Sequence, residues 1–221
     1  RPPRSTLVPY TTLFRSRKNI LYVGRLHPEK GIALLLEAFI VAKARGALTN
    51  WTLELIGPVA EGRGGGGEAW LGALRRRLCH RDILWSGPIY EENLLNAQYE
   101  QAAVFVYPSV AERGETFGLS ALEAMAWGAT PVVSDLACFR DFIRHDHNGL
   151  IFNHRGGQSE LALAQALTRV ADVWPRLGPA GVEVRESHGK TKIAESFLDD
   201  FERVLNGRRG HPVRAVNPTT R

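Results

Sequence analysis

Six short apolar runs punctuate this sequence, each followed by a loop and then a stretch of helix-forming residues, and that alternation restricts the fold more than any other feature. The runs are Asn19–Gly24, Trp51–Gly57, Asp82–Ile89, Ala103–Tyr107, Thr130–Ser134 and Gly149–Phe152. Runs of this length, bounded by glycine and proline, read as buried strands. Between them lie helical patterns from Gly31 to about Arg45, Ala69 to Leu78, Glu91 to Gln101 and Leu136 to Arg144. Strands that alternate with helices through short loops specify an α/β fold built on a doubly wound parallel sheet of about six strands. Ligands of such a sheet bind outside the carboxyl ends of its strands.

Finer expectations follow from the spacing. The first helix is predicted to bury Leu34, Leu35, Ala38, Ile40 and Val41, with Gly46 closing it. Pro175 is expected to end the helix that runs from Ser159 to Val173. Lys192–Leu205 forms a last amphipathic helix with Ile193, Phe197, Phe201 and Val204 on one side. Four consecutive glycines, Gly64–Gly67, set no defined turn, so Gly62–Gly67 reads as a mobile surface loop. The Arg75-Arg76-Arg77 run reads as a solvated helix face.

A net charge of +5 invites a nucleic-acid reading until the charge is located. Nine of the 28 basic residues lie within 1–18 and 207–221, where there are no acids; the remaining 19 are set against 23 acids, so residues 19–206 carry about −4. A basic binding face is therefore not expected on the folded part, and no nucleic-acid partner is assigned. Cys79 and Cys138 have neither metal-ligand nor redox spacing and read as two buried free thiols of a cytoplasmic protein. No run approaches the roughly 18 apolar residues that span a bilayer, although peripheral attachment to the inner face of a membrane is compatible with the sequence.

The ends read differently from the middle. Residues 9–16, Pro-Tyr-Thr-Thr-Leu-Phe-Arg-Ser, are codon by codon the translation of a common sequencing-library adapter. Residues 1–18 are accordingly expected to be a non-native or disordered leader, 19–206 the folded α/β domain, and 207–221 a disordered basic tail.

Chemistry concentrates at three strand ends: Gly24 and Arg25 with Lys30, then Gly87 and Ile89, then Glu115-Thr116-Phe117-Gly118-Leu119 leading to Glu123. If these strands are neighbours, Arg25 and Lys30 form a clamp for a diphosphate, the first as a forked donor and the second as a point charge. The loop at Gly118 runs into a helix whose free N–H groups attract an anion, and Glu123 is placed to accept the hydroxyls of a ribose. Gly189-Lys190-Thr191 lacks the first glycine of a phosphate loop, and His145 with His147 beside Asp146 reads as a polar turn without a third metal ligand.

Gly24-Arg25-Leu26 with Lys30-Gly31, Glu115-Thr116-Phe117-Gly118 leading to Glu123-Ala124-Met125-Ala126 with Gly128, and Pro131-Val132-Val133-Ser134 resemble the nucleotide-sugar-binding half of a retaining glycosyltransferase. The family is the large group-one family, family four of sequence classifications. The resemblance implies a Rossmann-like domain forming the C-terminal half of a two-domain GT-B fold. It implies that Arg25 and Lys30 bind the donor diphosphate, Glu115 the sugar hydroxyls, and Glu123 the ribose. Backbone around Phe117, Gly118 and Leu119 holds sugar and phosphate, and Ile89 lies against the base. Neither a metal nor a further cofactor is implied, since the cations and the helix N-terminus take the leaving-group charge. Where the family commonly carries a glutamate after the fifth strand, this chain reads Cys138-Phe139-Arg140-Asp141. The acceptor, unidentified, is expected to be bound by an amino-terminal Rossmann domain that lies outside this chain, leaving the fragment little or no transfer activity. The alternative is a non-catalytic nucleotide-sugar-binding or interaction module.

Overall fold

The computed structural model describes residues 18–205; the expectations for the leader and the basic tail fall outside them. Its centre is a parallel sheet of β1 (Asn19–Val23), β2 (Thr52–Ile56), β3 (Ile83–Gly87), β4 (Val104–Tyr107), β5 (Thr130–Ser134) and β6 (Leu150–Phe152). The strand order is β3-β2-β1-β4-β5-β6, with every pairing parallel. β1 is thus the central strand, and the order reverses between β1 and β4, the crevice where doubly wound sheets bind ligands. Strands covered on both faces need continuous apolar sequence. β4 and β5 are buried at every position.

The connecting helices are α1 (Ile32–Ala44), α2 (Gly67–Leu78), α3 (Glu92–Gln101), α4 (Leu119–Ala126) and α5 (Ser159–Gly181). All six strands fall where the sequence puts them, each trimmed by at most three residues. The segment after β5 is a 3₁₀ turn, Ala137–Asp141, rather than the longer helix expected over Leu136–Arg144.

α1 buries Ile32, Leu35, Leu36, Ala38, Phe39 and Ala42, so Leu35 and Ala38 are buried as predicted, while Leu34, Ile40 and Val41 are half-exposed and the buried face is rotated from the predicted one. The helix is apolar nearly all round and is covered by α5, so its sequence under-determines the buried side. Lys43 fixes the end of α1: its Nζ donates to the carbonyls of Thr49 and Trp51 and lies 2.7 Å from the Asp82 carboxylate. The hydrogen bond from Lys43 holds Asp82 below the usual carboxylate range. A depressed native pKa stabilises the fold above the ordinary aspartate value and stops doing so as the pH falls through the native one. Asp82→Asn is therefore expected to lower Tm at neutral pH, with the difference shrinking as the pH falls below the ordinary aspartate value of about 4. Thermal melts across that pH range check it.

Pro175 does not end α5, which continues through Pro175 and Pro179 to Gly181. Tertiary packing overrides the local penalty. The Thr130 hydroxyl donates to the Trp174 carbonyl at 3.0 Å, and Leu167, Val170, Trp174 and Leu177 are buried. A carbonyl that satisfies a strand hydroxyl offsets part of what the missing proline N–H groups cost.

Backbone contacts divide the chain at Val182 and Glu183. The second unit holds α6 (Val184–Ser187) and α7 (Lys190–Leu205). α7 starts at Lys190, two residues before the predicted helix, and carries Ile193, Phe197, Phe201 and Val204 exposed. Gly189-Lys190-Thr191 is thus the entry to a helix.

Candidate functional site

The end of β1 runs through Gly24 and Arg25 into a 3₁₀ turn, Pro28–Lys30, and then into α1. Pro28 presets that turn, and His27 Nδ1 accepts from the Glu29 N–H at 3.3 Å. Gly31 then takes a left-handed conformation, φ 69°, so the chain can change direction between the turn and α1. At the same point it lies so close to the segment after β4 that a Cβ would sit 2.0 Å from the Pro108 carbonyl oxygen. The Val110 N–H donates to the Glu29 carbonyl at 2.8 Å, closing the contact between the β1 and β4 ends.

Lys30 is buried there and its Nζ lies 2.7 Å from Glu115 Oε2. Both side chains are less than a tenth exposed. Tyr107, the last residue of β4, lies under the ammonium with its ring centroid 5.6 Å away. Burial first, and the Glu115 charge second, push the Tyr107 hydroxyl well above its ordinary pKa, so it stays a proton donor. Tyr22 stacks on Tyr107 at 5.7 Å and donates to the Arg25 carbonyl at 2.9 Å. One compact group therefore holds a cation, an anion and two aromatic rings.

Arg25 is half-exposed and already oriented. Nη1 donates to the Gly64 carbonyl at 2.8 Å, and Nη2 to Glu29 Oε1 at 2.9 Å. Gly64 belongs to the stretch read as a mobile surface loop, and the structure corrects that reading. The N–H groups of Gly65, Gly66 and Gly67 donate to Ala60, Leu26 and Val59, and Gly67 opens α2. Backbone hydrogen bonds, invisible in composition, fold this segment against the site. Arg75 and Arg76 further along α2 are exposed as expected, whereas Arg77 is paired with Glu37 of α1.

Beyond Glu115, Thr116 is exposed, Phe117 packs against Phe142 at 5.3 Å, and Gly118 caps α4 in the left-handed conformation. Gly118 has no side chain to cap the helix, which leaves first-turn N–H groups for a ligand or water. Leu119 opens α4 and is exposed. Glu123 stands one turn on, exposed, with Oε2 accepting from the Tyr99 hydroxyl at 3.0 Å. Tyr22, Tyr99, Tyr107 and Gly64 were not singled out by the sequence. Tyr22 and Tyr107 are marked only by a hydroxyl inside an apolar run, and Tyr99 stands among the polar residues of a helix.

The three strand ends do not all meet. β1 and β4 are neighbours, but β3 is the sheet edge with β2 between it and β1. Gly87 and the half-buried Ile89 therefore lie two strands, about 10 Å, from the β1 end. Two further readings change. Cys79 is exposed at the end of α2, off its buried stripe of Leu71 and Leu74, and Cys138 is half-buried, so neither is a core thiol. Burial and the nearby Glu115 charge push the Cys138 thiol up to about 11. Asp141 ends its 3₁₀ turn exposed to solvent. Glu112, in the loop after β4, is bound by Arg155 at 2.7 Å and by His154 at 2.9 Å, and these partners hold its carboxyl below the usual range. Among the described residues no group of three or more His, Cys, Asp and Glu side chains is arranged to hold a metal ion. Nor is any helix among them long and apolar enough to cross a membrane.

A six-stranded parallel sheet in this order, with charged side chains gathered where the order reverses, defines a Rossmann-like ligand-binding domain. Its sequence matches the model of the glycosyl transferases group 1 over residues 17–172, and the chain belongs to that family. A D-inositol 3-phosphate glycosyltransferase of Streptomyces bingchenggensis is 28% identical over 86% of this chain and 41% of its own length. An uncharacterized glycosyltransferase of Methanocaldococcus jannaschii is 32% identical over 71% of this chain and 36% of its own. The chain thus spans well under half of these relatives. Among solved structures, the pneumococcal O-GlcNAc transferase GtfA in complex with UDP and GlcNAc superposes with a TM-score of 0.68 at 23% identity, over 86% of this chain and 36% of that one. Sucrose-phosphate synthase from Thermosynechococcus elongatus gives 0.67 at 26% identity, over 88% and 47%. The fold is that of a Rossmann-like domain of the GT-B glycosyltransferases.

Proposed function

We propose that this chain is the donor-binding domain of a retaining glycosyltransferase, which moves a sugar from a nucleoside diphosphate sugar to an acceptor held by a separate domain. The observation that carries the reading is the buried Lys30–Glu115 pair at the reversal between β1 and β4, beside the uncapped start of α4. In this reading Arg25 and Lys30 take the diphosphate, together with the first N–H groups of α4 around Phe117, Gly118 and Leu119. Glu115 accepts hydroxyls of the sugar, Glu123 those of the ribose, and Ile89 lies against the base. The spacing of the β3 end from the β1 end suits a base held away from the diphosphate.

As the bond between the sugar and the phosphate oxygen breaks, its electron pair goes to the diphosphate. Arg25, Lys30 and the helix N-terminus stabilise that developing charge without a metal ion, and such preorganised stabilisation is usually the largest catalytic contribution. Glu115 acts as a reader of the sugar rather than a general acid, since its carboxylate is already paired with Lys30. Acceptor selection and turnover then belong to the domain facing this one, and a cytoplasmic setting, with or without peripheral membrane contact, fits the role.

Calorimetric titration with UDP, GDP and ADP tests the donor site. Saturable binding of at least one is expected, weakened roughly tenfold to a hundredfold by Arg25→Ala through loss of a charge-assisted hydrogen bond. Glu123→Ala is expected to weaken it as well. No saturable binding by any of the three would sink the reading.

A further inference from the structure

Glu123 differs from an ordinary exposed glutamate on a helix surface. One of its carboxylate oxygens accepts from the hydroxyl of Tyr99 at 3.0 Å, while the rest of the side chain faces solvent. Tyr99 itself is 1% exposed on α3, and its ring packs against Phe105 of β4 with centroids 6.0 Å apart. A ring held on that side by the sheet cannot swing, so its hydroxyl is a fixed donor. A glutamate side chain left to itself samples many rotamers, and ordering it on ligand binding costs conformational entropy. With Oε2 anchored, the carboxylate of this exposed residue keeps Oε1 as a second acceptor in a restricted orientation.

We propose that Tyr99 is a positioning residue for ribose recognition, holding the Glu123 carboxylate in the orientation that accepts the hydroxyls of the bound nucleotide's ribose. The proposal rests on the reading of Glu123 as the ribose acceptor. A purely structural role for Tyr99 needs only some acceptor for a buried hydroxyl, and an exposed charged side chain is a costly choice for that, since its carboxylate is already well solvated. Burial, and then the Glu123 charge, raise the Tyr99 pKa far above its ordinary value, so the hydroxyl keeps its proton and donates throughout the neutral range.

The test compares ribonucleotides with their 2′,3′-dideoxy counterparts, using UDP, GDP and ADP on the whole chain. The wild type is expected to prefer the ribonucleotide of whichever base it binds. Tyr99→Phe removes one oxygen and keeps the ring packing. It is expected to weaken the ribonucleotide about three- to tenfold, the worth of one hydrogen bond, and to leave the 2′,3′-dideoxy nucleotide unchanged. In a Glu123→Ala background the same substitution should change neither. Tyr99→Phe that weakens both nucleotides equally, or leaves the preference intact, overturns the positioning role while the donor site stands. If Glu123→Ala also leaves the ribose preference intact, the ribose assignment falls and this proposal with it. Far-UV circular dichroism of each variant separates loss of fold from loss of orientation.

Discussion

Glu115→Gln is expected to destabilise the empty chain by about 3 kcal/mol and, at the same time, to tighten its hold on free nucleoside diphosphate by roughly tenfold. Lys30 and Glu115 are 2.7 Å apart and almost wholly buried, so removing one charge strands the other where water reaches it poorly. A diphosphate without a sugar must draw Lys30 away from Glu115 before it gains the ammonium. In the glutamine variant that competition is gone, and the ligand's own charge replaces the missing carboxylate. Urea unfolding reads the first effect and calorimetry the second. A fall in nucleotide affinity alongside the fall in stability would show that Glu115 aids the diphosphate instead of competing with it. For a nucleotide that still carries its sugar, the same substitution should weaken binding, because the lost carboxylate is then the sugar's acceptor.

Gly31→Ala should cost far more than Gly46→Ala, about 3–5 kcal/mol against about 1–2 kcal/mol. Both glycines are left-handed, φ 69° and 80°, so both variants suffer the same backbone penalty. They differ in what a methyl group would meet. At Gly46 nothing lies within 4 Å, whereas at Gly31 the Pro108 carbonyl oxygen stands 2.0 Å away. That carbonyl is backbone and cannot step aside without prising the β4 loop from the β1 loop. Nucleotide binding is expected to fall with stability in Gly31→Ala and to survive in Gly46→Ala. Equal denaturation midpoints for the two variants would contradict the close approach.

The sheet was legible in the sequence because strands buried on both faces leave a pattern that neighbours cannot disguise. Val104–Tyr107 and Thr130–Ser134 are apolar or small at nearly every position and bounded by turn residues. The charged residues of the candidate site were legible for the opposite reason. Lys30 and Glu123 sit where an apolar core or a helix dipole gives them no motive of their own. What the sequence withheld depends on tertiary contact. α1 is apolar nearly all round, so only its packing against the sheet and α5 selects the buried side. Pro175 breaks an isolated helix, yet here it sits next to a carbonyl that Thr130 engages. Gly64–Gly67 carries no side chains to betray its backbone hydrogen bonds. Strand order too was unreadable, and with it the separation of Ile89 from Arg25.

The place of β1 in the sheet also sets an order of events when the chain folds. β1 is the first strand among the described residues and a central one in space, flanked by β2 about thirty residues on and by β4 more than eighty residues on. The β3-β2-β1 half can form from local crossovers, but one edge of β1, carrying Ile20, Leu21 and Tyr22, stays open until β4 arrives. Long-range pairings close late because the loop entropy is spent before the contact forms. The crevice between β1 and β4 is therefore the last seam of the sheet to be sewn, and until then an unpaired apolar strand edge is exposed to other chains. Slow or aggregation-limited refolding is the physical consequence of putting the site at that seam.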